Sequence, residues 1–428
     1  MNAKIHYLSE VARGVVHQGR GVYTRITVAR DGNGWLSVQA SSYGLTVRTI
    51  VEVRLAYTGV PGIRRNGHTM ISCEGRNRRT VNLLKTIYFD SPEWTICSVS
   101  LMNATWMKYR EELEQVVLAH PRVFPGRTKG LRDFDEVADV LYEAGEHTDC
   151  WGTVWNNVAR GLSSHPVRFP LENWEDFEAY VAPDPMKEDT FGPRGDWGDV
   201  ARRLARSKAG GGVATGGGLQ HGFMYMRLFY LRRFENLMMD MITGDPRLPR
   251  LIRMVEDYNA AVIGKHLELG AEYMTFGDDL GLQDSLPMSP ALWRTYIKPS
   301  YDRLLRPCRE ADVPVYLHTD GHVLEIIPDL IEAGVRVLNP QIRANGLEGL
   351  QAMAKGKMAI NLDLDRQLFP FATPSEIEDH IGEMYEGLHL PEGGLMLHAE
   401  CEPDVPLDNI DTICTVLERI CRPPEPDA

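Results

Sequence analysis

The spacing of hydrophobic and polar positions changes near residue 90. Before that point, residues 21–28 and 46–55 carry β-branched residues at alternating positions, with a turn signal at Asp31–Gly34 between them. From Ser91 onward, short apolar runs alternate with stretches of helical period, which is typical of βα units around a parallel sheet. The pattern predicts an α/β protein with a β-rich N-terminal module over residues 1–88 and a (β/α)8 TIM-type barrel over residues 89–428.

The first βα units are predicted from residues 94–100 as a strand and 105–119 as a helix. The proline-rich, polar segment 183–200 reads as a long connection. A glycine-rich run at 210–218 lacks the lysine and the spacing of a phosphate-binding loop, so it predicts a lid or tight turn before a helix at 224–243.

The second half alternates most clearly, with units recurring at intervals of about 20 to 40 residues. Ser289–Pro290 and the capping box at Thr373–Glu376 mark two helix starts. The predicted strands are 273–276, 313–318, 335–338, 358–362 and 394–398, and the predicted helices are 290–310, 323–333, 347–354, 374–387 and 408–420.

Composition narrows the function. The chain has 428 residues, of which 43% are hydrophobic and 25% charged, as in ordinary globular proteins. A net charge of −13 argues against nucleic acid or an anionic membrane as partner and favours a small-molecule substrate. No apolar run reaches the roughly 18 residues of a spanning helix. The seven cysteines are scattered without a CxxC pair, so we expect reduced thiols in a cytoplasmic enzyme.

Polar residues collect where each strand of the second half ends. Since the C-terminal ends of barrel strands open on one mouth, five clusters distant in sequence are expected to meet there. They are Asp278 with Asp279, His318 with Asp320 and His322, Asn339 with Gln341, Asn361 with Asp363 and Asp365, and His398 with Glu400 and Cys401.

The pair His318 and Asp320 predicts a metal site. A His-x-Asp spacing in extended chain places both side chains on one face, and Glu400 or Cys401 on a neighbouring strand could complete the ligand set. Three or four such ligands suit zinc or another divalent ion. Without a metal, the same residues would form a hydrogen-bonded acid–base network, and this alternative stays open.

These considerations give three sets of candidate residues. The catalytic candidates are Asp278, Asp279, His318 and Asp363. The substrate-binding candidates are Gln220, His221, Gln283, Tyr316, Asn339, Gln341, Asn361 and His398. The metal-binding candidates are His318, Asp320, Glu400 and Cys401.

Several motifs, in order, resemble the uroporphyrinogen decarboxylase superfamily. They include residues 231–240, Asp278–Gln283, Leu317–Gly321, Asn361–Asp363 and Pro403–Ile410, and the resemblance covers roughly residues 90 to 422. This superfamily includes the decarboxylase of haem biosynthesis and zinc-dependent, corrinoid-linked methyltransferases. The resemblance implies a barrel enzyme, more often a dimer than a monomer.

The departures from each branch guide the choice of activity. The arginine-rich signature of the decarboxylase branch is absent before Ser91. The methyltransferase branch binds zinc through a His-x-Cys pair and a later Cys; here His318 matches, Asp320 replaces the first cysteine, and Ala399 stands at the last ligand position. The resemblance implies metal-dependent methyl transfer on a small molecule, with zinc or another divalent metal and a corrinoid on a partner protein.

Two other functions remain as alternatives. One is a metal-free decarboxylase or lyase, in which Asp279 stabilises a developing cationic centre and His318 or His398 relays the proton. The other is a binding module without catalytic activity, for a corrinoid partner or a small ligand.

Overall fold

A computed structural model of the chain describes residues 73–424, apart from residues 138, 190–191, 194 and 220–221, together with the backbone of three earlier strands. Contacts divide the chain into two compact units, residues 1–59 and 60–428. In the first unit, β1 (Arg25–Arg30), β2 (Leu36–Ser42) and β3 (Leu45–Val47) form an antiparallel sheet. The predicted turn at 31–34 and residues 48–55 lie outside the described part. That residues 1–88 form one module stays a prediction.

The first element in the described part of the second unit is a helix, where the sequence had suggested β structure. Helix α1 (Arg78–Tyr88) starts at Asn77, whose side chain accepts a hydrogen bond from the Thr80 N–H. Ile87 of α1 is buried in a small apolar cluster with residues at or near the beginnings of parallel strands, namely Tyr273, Val337, Ala359 and Met396. Helix α1 therefore covers the N-terminal end of the barrel interior.

Seven parallel strands form the main sheet. They are β4 (Ile96–Leu101), β10 (Thr215–Leu219), β11 (Tyr273–Gly277), β12 (Val315–Thr319), β13 (Val335–Pro340), β14 (Ala359–Asp363) and β15 (Leu395–Cys401). Their order in the sheet is β10, β11, β12, β13, β14, β15, β4. The first of them along the chain pairs with the last, which curls the sheet toward a barrel. This confirms an α/β fold with a parallel, barrel-like sheet; an eighth parallel strand is not found among the described residues.

The glycine-rich run begins with the predicted turn, at Gly210 and Gly211, but residues 215–218 belong to the barrel strand β10. At Gly217 in β10 the backbone has φ +94°, and a Cβ there would collide with the backbone of Thr275 in β11. A Cβ on Gly216 would lie 2.8 Å from the Ala271 Cβ. The glycines are needed because the strand passes so close to its neighbours.

Helices surround the sheet, and two predicted helices are each broken in two. The predicted helix 224–243 is divided at Arg233, which has φ 68°, and the predicted helix 290–310 is divided at Ile297. The helices are α2 (Asn103–Ala119), α3 (Trp197–Ala209), α4 (Tyr225–Arg232), α5 (Phe234–Thr243), α6 (Leu248–Glu268), α7 (Pro290–Tyr296), α8 (Lys298–Glu310), α9 (Ile327–Ala333), α10 (Ile342–Asn345), α11 (Leu347–Met353), α12 (Pro374–Leu388) and α13 (Leu407–Cys421). No helix in the described part of the chain combines the length and apolar character needed to cross a membrane.

Additional strands lie between α2 and β10, where the sequence had suggested little regular structure. β5 (Gly145–Thr148), β6 (Val154–Asn157) and β7 (His165–Arg168) form an antiparallel sheet, and β8 (Glu188–Asp189) pairs with β9 (Gly192–Pro193). Helix α3 then begins within the predicted connection 183–200, capped by Asp196. A buried ion pair between Asp149 and Arg227, 2.9 Å long, joins this region to α4.

Candidate metal and substrate site

Strand register brings the polar strand ends onto one inner face. His318 of β12 pairs with Asn339 of β13, and Asp363 of β14 pairs with His398 of β15. Gln341 forms an isolated parallel bridge to Asp363. Neighbouring residues in a parallel register point to the same side of a sheet, so these side chains face the same interior. Because α1 covers the opposite end, the C-terminal mouth is the approach for a ligand.

Asp279, His318 and Asp320 form a group whose candidate ligand atoms all lie within 4.8 Å of one another. The His318 Nε2 atom lies 3.4 Å from Asp320 Oδ1 and 3.9 Å from Asp279 Oδ1. The backbone N–H of Asp320 donates a hydrogen bond to Asp279 Oδ1 at 3.2 Å, which ties the loop after β11 to the end of β12. Three side chains from two adjacent strand ends thus surround a single position.

Asn339 fixes the orientation of the His318 ring. The His318 Nδ1 atom lies 2.7 Å from the Asn339 side-chain oxygen, which can only accept, so Nδ1 carries the proton and donates. Asn339 is held in turn by donating to the Asn361 carbonyl at 2.6 Å. His318 Nε2 therefore faces the two carboxylates.

The electrostatics of this group favour a bound cation. Burial lowers the pKa of His318, but Asp320 and Asp279 outweigh it and raise that pKa to about 9. Two carboxylates beside one imidazole thus attract a proton strongly, and a divalent metal ion satisfies the same charges. One imidazole and two carboxylates fit zinc or a harder divalent ion, and three protein ligands leave positions for a substrate atom.

Asp278 lies below this group, facing the start of α4. Its carboxylate accepts hydrogen bonds from the Tyr225 and Met226 N–H groups and from the Tyr301 hydroxyl, each at 2.8 Å. Burial raises the pKa of Asp278 to about 6, while these hydrogen bonds act in the opposite direction. These contacts anchor the start of α4 to the end of β11, and the catalytic role of Asp278 stays a prediction.

Arg366 lies between three acidic side chains. It was not among the residues predicted from the sequence. Its guanidinium contacts the Asp363 carboxylate closely, Glu400 at 3.0 Å and Asp320 at 3.4 Å. Burial lowers the pKa of Arg366, but Asp363 and Glu400 raise it above its ordinary value. Its position three residues beyond Asp363, in the loop after β14, is the signal that could have identified it.

Glu400 and Cys401 are not brought into the ligand group. Glu400 faces the mouth but is engaged by Arg366. Cys401 is fully buried in the apolar core, where burial raises the pKa of its thiol. Successive residues of a strand point to opposite faces, so both could not face the interior. We therefore replace these two candidate ligands by Asp279.

Two predicted substrate-binding residues lie deeper in the interior. The Asn361 side-chain amide donates to the Tyr316 hydroxyl at 3.3 Å. Burial raises the pKa of Tyr316 to about 12, so this hydroxyl keeps its proton. Tyr316 and Asn361 form a polar floor above the apolar cluster that α1 closes.

The remaining candidates are placed differently. His398 contacts the Ser98 hydroxyl at 2.9 Å, and burial lowers its pKa to about 4, which keeps the ring neutral. Gln341 accepts a hydrogen bond from the Gly321 N–H and so supports the turn after β12. Gln283 is exposed in the loop after β11. Gln220 and His221 lie outside the described residues.

Similarity to known structures supports the fold. A methyltransferase from Methanosarcina mazei is 17% identical, with a TM-score of 0.54, over 79% of this chain and 98% of that chain. A putative vitamin-B12 independent methionine synthase from Listeria monocytogenes is 13% identical, with a TM-score of 0.36, over 55% and 72%. At such identities the first similarity shows the fold alone.

Sequence similarity identifies the family. None of the curated proteins matches the chain significantly. Residues 163–420 match the family Uroporphyrinogen decarboxylase (URO-D), which is more than half of the chain. The matched region contains Asp279, His318, Asp320, Asp363 and Arg366, as well as six of the seven parallel strands. This chain therefore belongs to the Uroporphyrinogen decarboxylase (URO-D) family.

Proposed function

We propose that this chain catalyses metal-dependent methyl transfer on a small molecule, with Asp279, His318 and Asp320 as the metal ligands. The observation that carries the proposal is the convergence of their ligand atoms within 4.8 Å at the mouth of the barrel. The resemblance of the sequence to the methyltransferase branch and the methyltransferase from Methanosarcina mazei among similar structures support the reaction class.

The metal is zinc or another divalent ion, bound by one imidazole and two carboxylates. When bound, it supplies Lewis acidity that lowers the pKa of a coordinated thiol or hydroxyl and so makes that group a nucleophile. Asn339 presents His318 Nε2 to the ion, and the Asp320 N–H holds Asp279 in place. Helix α1 closes the far end of the interior and keeps the approach to one side.

A corrinoid on a separate partner protein would carry the methyl group, and the chain would act as a homodimer. Both parts of the proposal rest on the family resemblance. The ligand set differs from the His-Cys-Cys set of zinc methyltransferases, because carboxylates replace the thiolates. A metal with fewer thiolate ligands is less electron-rich, so we propose an alcohol, ether, carboxylate or thiol as the coordinated substrate group.

A metal-free decarboxylase or related lyase is the second candidate function. The observation that favours it is the raised pKa of His318, about 9, which without a metal keeps the imidazole protonated and able to donate a proton to a carbanion. Arg366 would then orient a carboxylate of the substrate. In that case, chelators leave the activity unchanged and carbon dioxide is released.

Metal content distinguishes the two functions. Protein purified without added metal is analysed by inductively coupled plasma mass spectrometry, beside His318→Ala and the matched control His322→Ala. His322 contacts the Ala344 carbonyl and Glu325 instead of the ligand group. We expect about one divalent ion per chain in the wild type and the control, and loss in His318→Ala. Absence of metal in all three, with activity that resists chelators, would support the decarboxylase instead.

A further inference from the structure

One carboxylate oxygen in the mouth has no hydrogen-bond partner among the residues that the structure describes. The Asp363 side chain is only 1% exposed, and no described residue donates a hydrogen bond to its Oδ1 atom, although Oδ2 contacts Arg366. The Nε atom of Arg366 is likewise buried and has no acceptor in the described part of the chain. Buried polar atoms in native proteins are nearly always paired, because an unpaired one costs about 1–3 kcal/mol. The unpaired oxygen lies beside the proposed metal site. We infer that a group of a bound ligand becomes its hydrogen-bond partner.

The charges around Asp363 favour a cation as that group. A divalent ion balances Asp279 and Asp320, the two acidic ligands. Asp363 and Glu400 then share one guanidinium, that of Arg366, so one negative charge remains. Among the described residues, the cationic side chain in contact with Asp363 is Arg366. An anionic substrate group would face these carboxylates, and the Arg366 guanidinium beside them already contacts three carboxylates.

The geometry also limits the size of the ligand. The same nitrogen of Arg366, Nη2, contacts Asp320 at 3.4 Å and Asp363 more closely. The metal group and the Asp363 carboxylate are therefore separated by little more than one guanidinium nitrogen. Arg366 contacts Asp363 through Oδ2 and holds Glu400 with its other terminal nitrogen, so Oδ1 is the Asp363 oxygen left for a ligand.

We propose that Asp363 binds a protonated amine of the substrate, so that the substrate is a small molecule with a metal-binding thiol or hydroxyl at one end and an N–H-bearing ammonium group at the other. This inference rests on the proposed metal-dependent function and names its substrate class. A quaternary ammonium group would match the charge but could not donate a hydrogen bond to Oδ1.

Thiol probes of similar size test this directly. Cobalt(II)-loaded protein is titrated with 2-aminoethanethiol, 2-mercaptoethanol and 3-mercaptopropionate, and binding is followed by the thiolate-to-cobalt charge-transfer absorption. We expect the aminothiol to bind about tenfold more tightly than the neutral alcohol, and the acid to bind most weakly. In Asp363→Asn the preference for the aminothiol falls to about threefold or less. The control Asp284→Asn changes an exposed carboxylate in the loop after β11 and keeps the wild-type order.

The outcomes separate the two proposals. Equal binding of the aminothiol and the neutral alcohol in the wild type overturns the inference while the metal site stands, and the unpaired oxygen then binds water. A preference that survives in Asp363→Asn also overturns it. Failure of the wild type to bind cobalt overturns the proposed function and this inference together. Since the wild-type order alone decides between the first outcomes, the test does not depend on the folding of the variant.

Discussion

The Asn339 side chain fixes the orientation and the tautomer of the His318 ring. Because the Asn339 oxygen accepts from Nδ1 at 2.7 Å, the neutral tautomer leaves Nε2 as a lone-pair donor toward Asp279 and Asp320. Partners of this kind around metal ligands raise ligand basicity and reduce the entropy lost on binding. The site therefore depends on a residue that would not touch the metal.

Replacing Asn339 tests this dependence. Asn339→Ala is expected to weaken binding of zinc by about 10-fold to 100-fold, because the ring loses its fixed orientation. Competition with a fluorescent chelator measures the affinity, and the control Asn236→Ala removes an amide that binds the Glu172 carbonyl elsewhere. Unchanged affinity in Asn339→Ala would contradict the role given to this residue.

The sequence predicted that the polar strand ends would meet at one mouth, but not how their side chains are paired. Asp279, His318 and Asp320 were predicted because polar residues follow buried strands. Arg366 was missed because it lies in a loop, and its importance follows from three carboxylates that are distant in sequence. Cys401 was predicted as a ligand because residue type was considered without the alternation that turns it into the core.

Strand β10 requires glycine because it packs so closely against β11. Gly217 and Gly218 share a positive φ, +94° and +85°, but a Cβ on Gly217 would collide with Thr275, whereas a Cβ on Gly218 meets nothing within 4 Å. A glycine run without other sequence signals predicts a turn. The glycines at 216–218 lie in a strand instead, because β10 must pass close to the neighbouring strand. Local patterns could not supply that information.

The two glycines give a matched prediction. Gly217→Ala and Gly218→Ala each force alanine into an unfavourable φ, at a cost of about 1–2 kcal/mol. Gly217→Ala adds a steric clash worth roughly 1–3 kcal/mol, so its free energy of unfolding should fall further. Chemical denaturation measures both, and equal losses would contradict the close approach of β10 and β11.

Helix α12 carries a histidine that links stability to pH. His380 Nε2 accepts a hydrogen bond from the Asp365 N–H at 3.2 Å, which requires a neutral ring. Burial lowers its pKa below the ordinary value of 6.5. Above pH 6.5 the ring is neutral in both the folded and the unfolded chain. Below pH 6.5 the unfolded chain takes up a proton more readily than the folded chain, so the free energy of unfolding decreases as the pH is lowered.

Removing the titration should flatten this dependence. His380→Gln keeps an acceptor but does not ionise. As the pH is lowered from about 7.5 to about 5.5, the wild type should lose more of its free energy of unfolding than the variant, by at most roughly 1.4 kcal/mol per pH unit. Urea denaturation at the two pH values gives the difference, and parallel losses in both proteins would show that His380 does not carry the linkage.

Closure of the barrel interior by α1 is the main feature at the scale of the whole second unit. Ile87, 3% exposed, packs against Tyr273, Val337 and Met396 at the end opposite the mouth. Strand and helix alternation predicted the parallel sheet well, because βα units are encoded locally. The role of α1 could not be predicted, because it depends on the end of the sheet against which a short helix packs.

A cavity variant tests whether the two ends are independent. Ile87→Ala is expected to lower the free energy of unfolding by about 2–5 kcal/mol, as for buried aliphatic residues elsewhere. Its zinc affinity should stay within about twofold of the wild type, because distant sites act independently. Calorimetry and metal titration check the two parts, and a large loss of affinity would contradict the separation of closed end and mouth.

Anomalous X-ray diffraction from crystals grown with zinc can show whether Asp279, His318 and Asp320 bind a metal ion. Data above and below the zinc absorption edge locate the ion without reference to the protein coordinates. We expect one strong peak, about 2.0–2.2 Å from His318 Nε2, from one carboxylate oxygen of Asp279 and from one of Asp320. A peak elsewhere, or no peak between these residues in protein that is saturated with zinc, would contradict it.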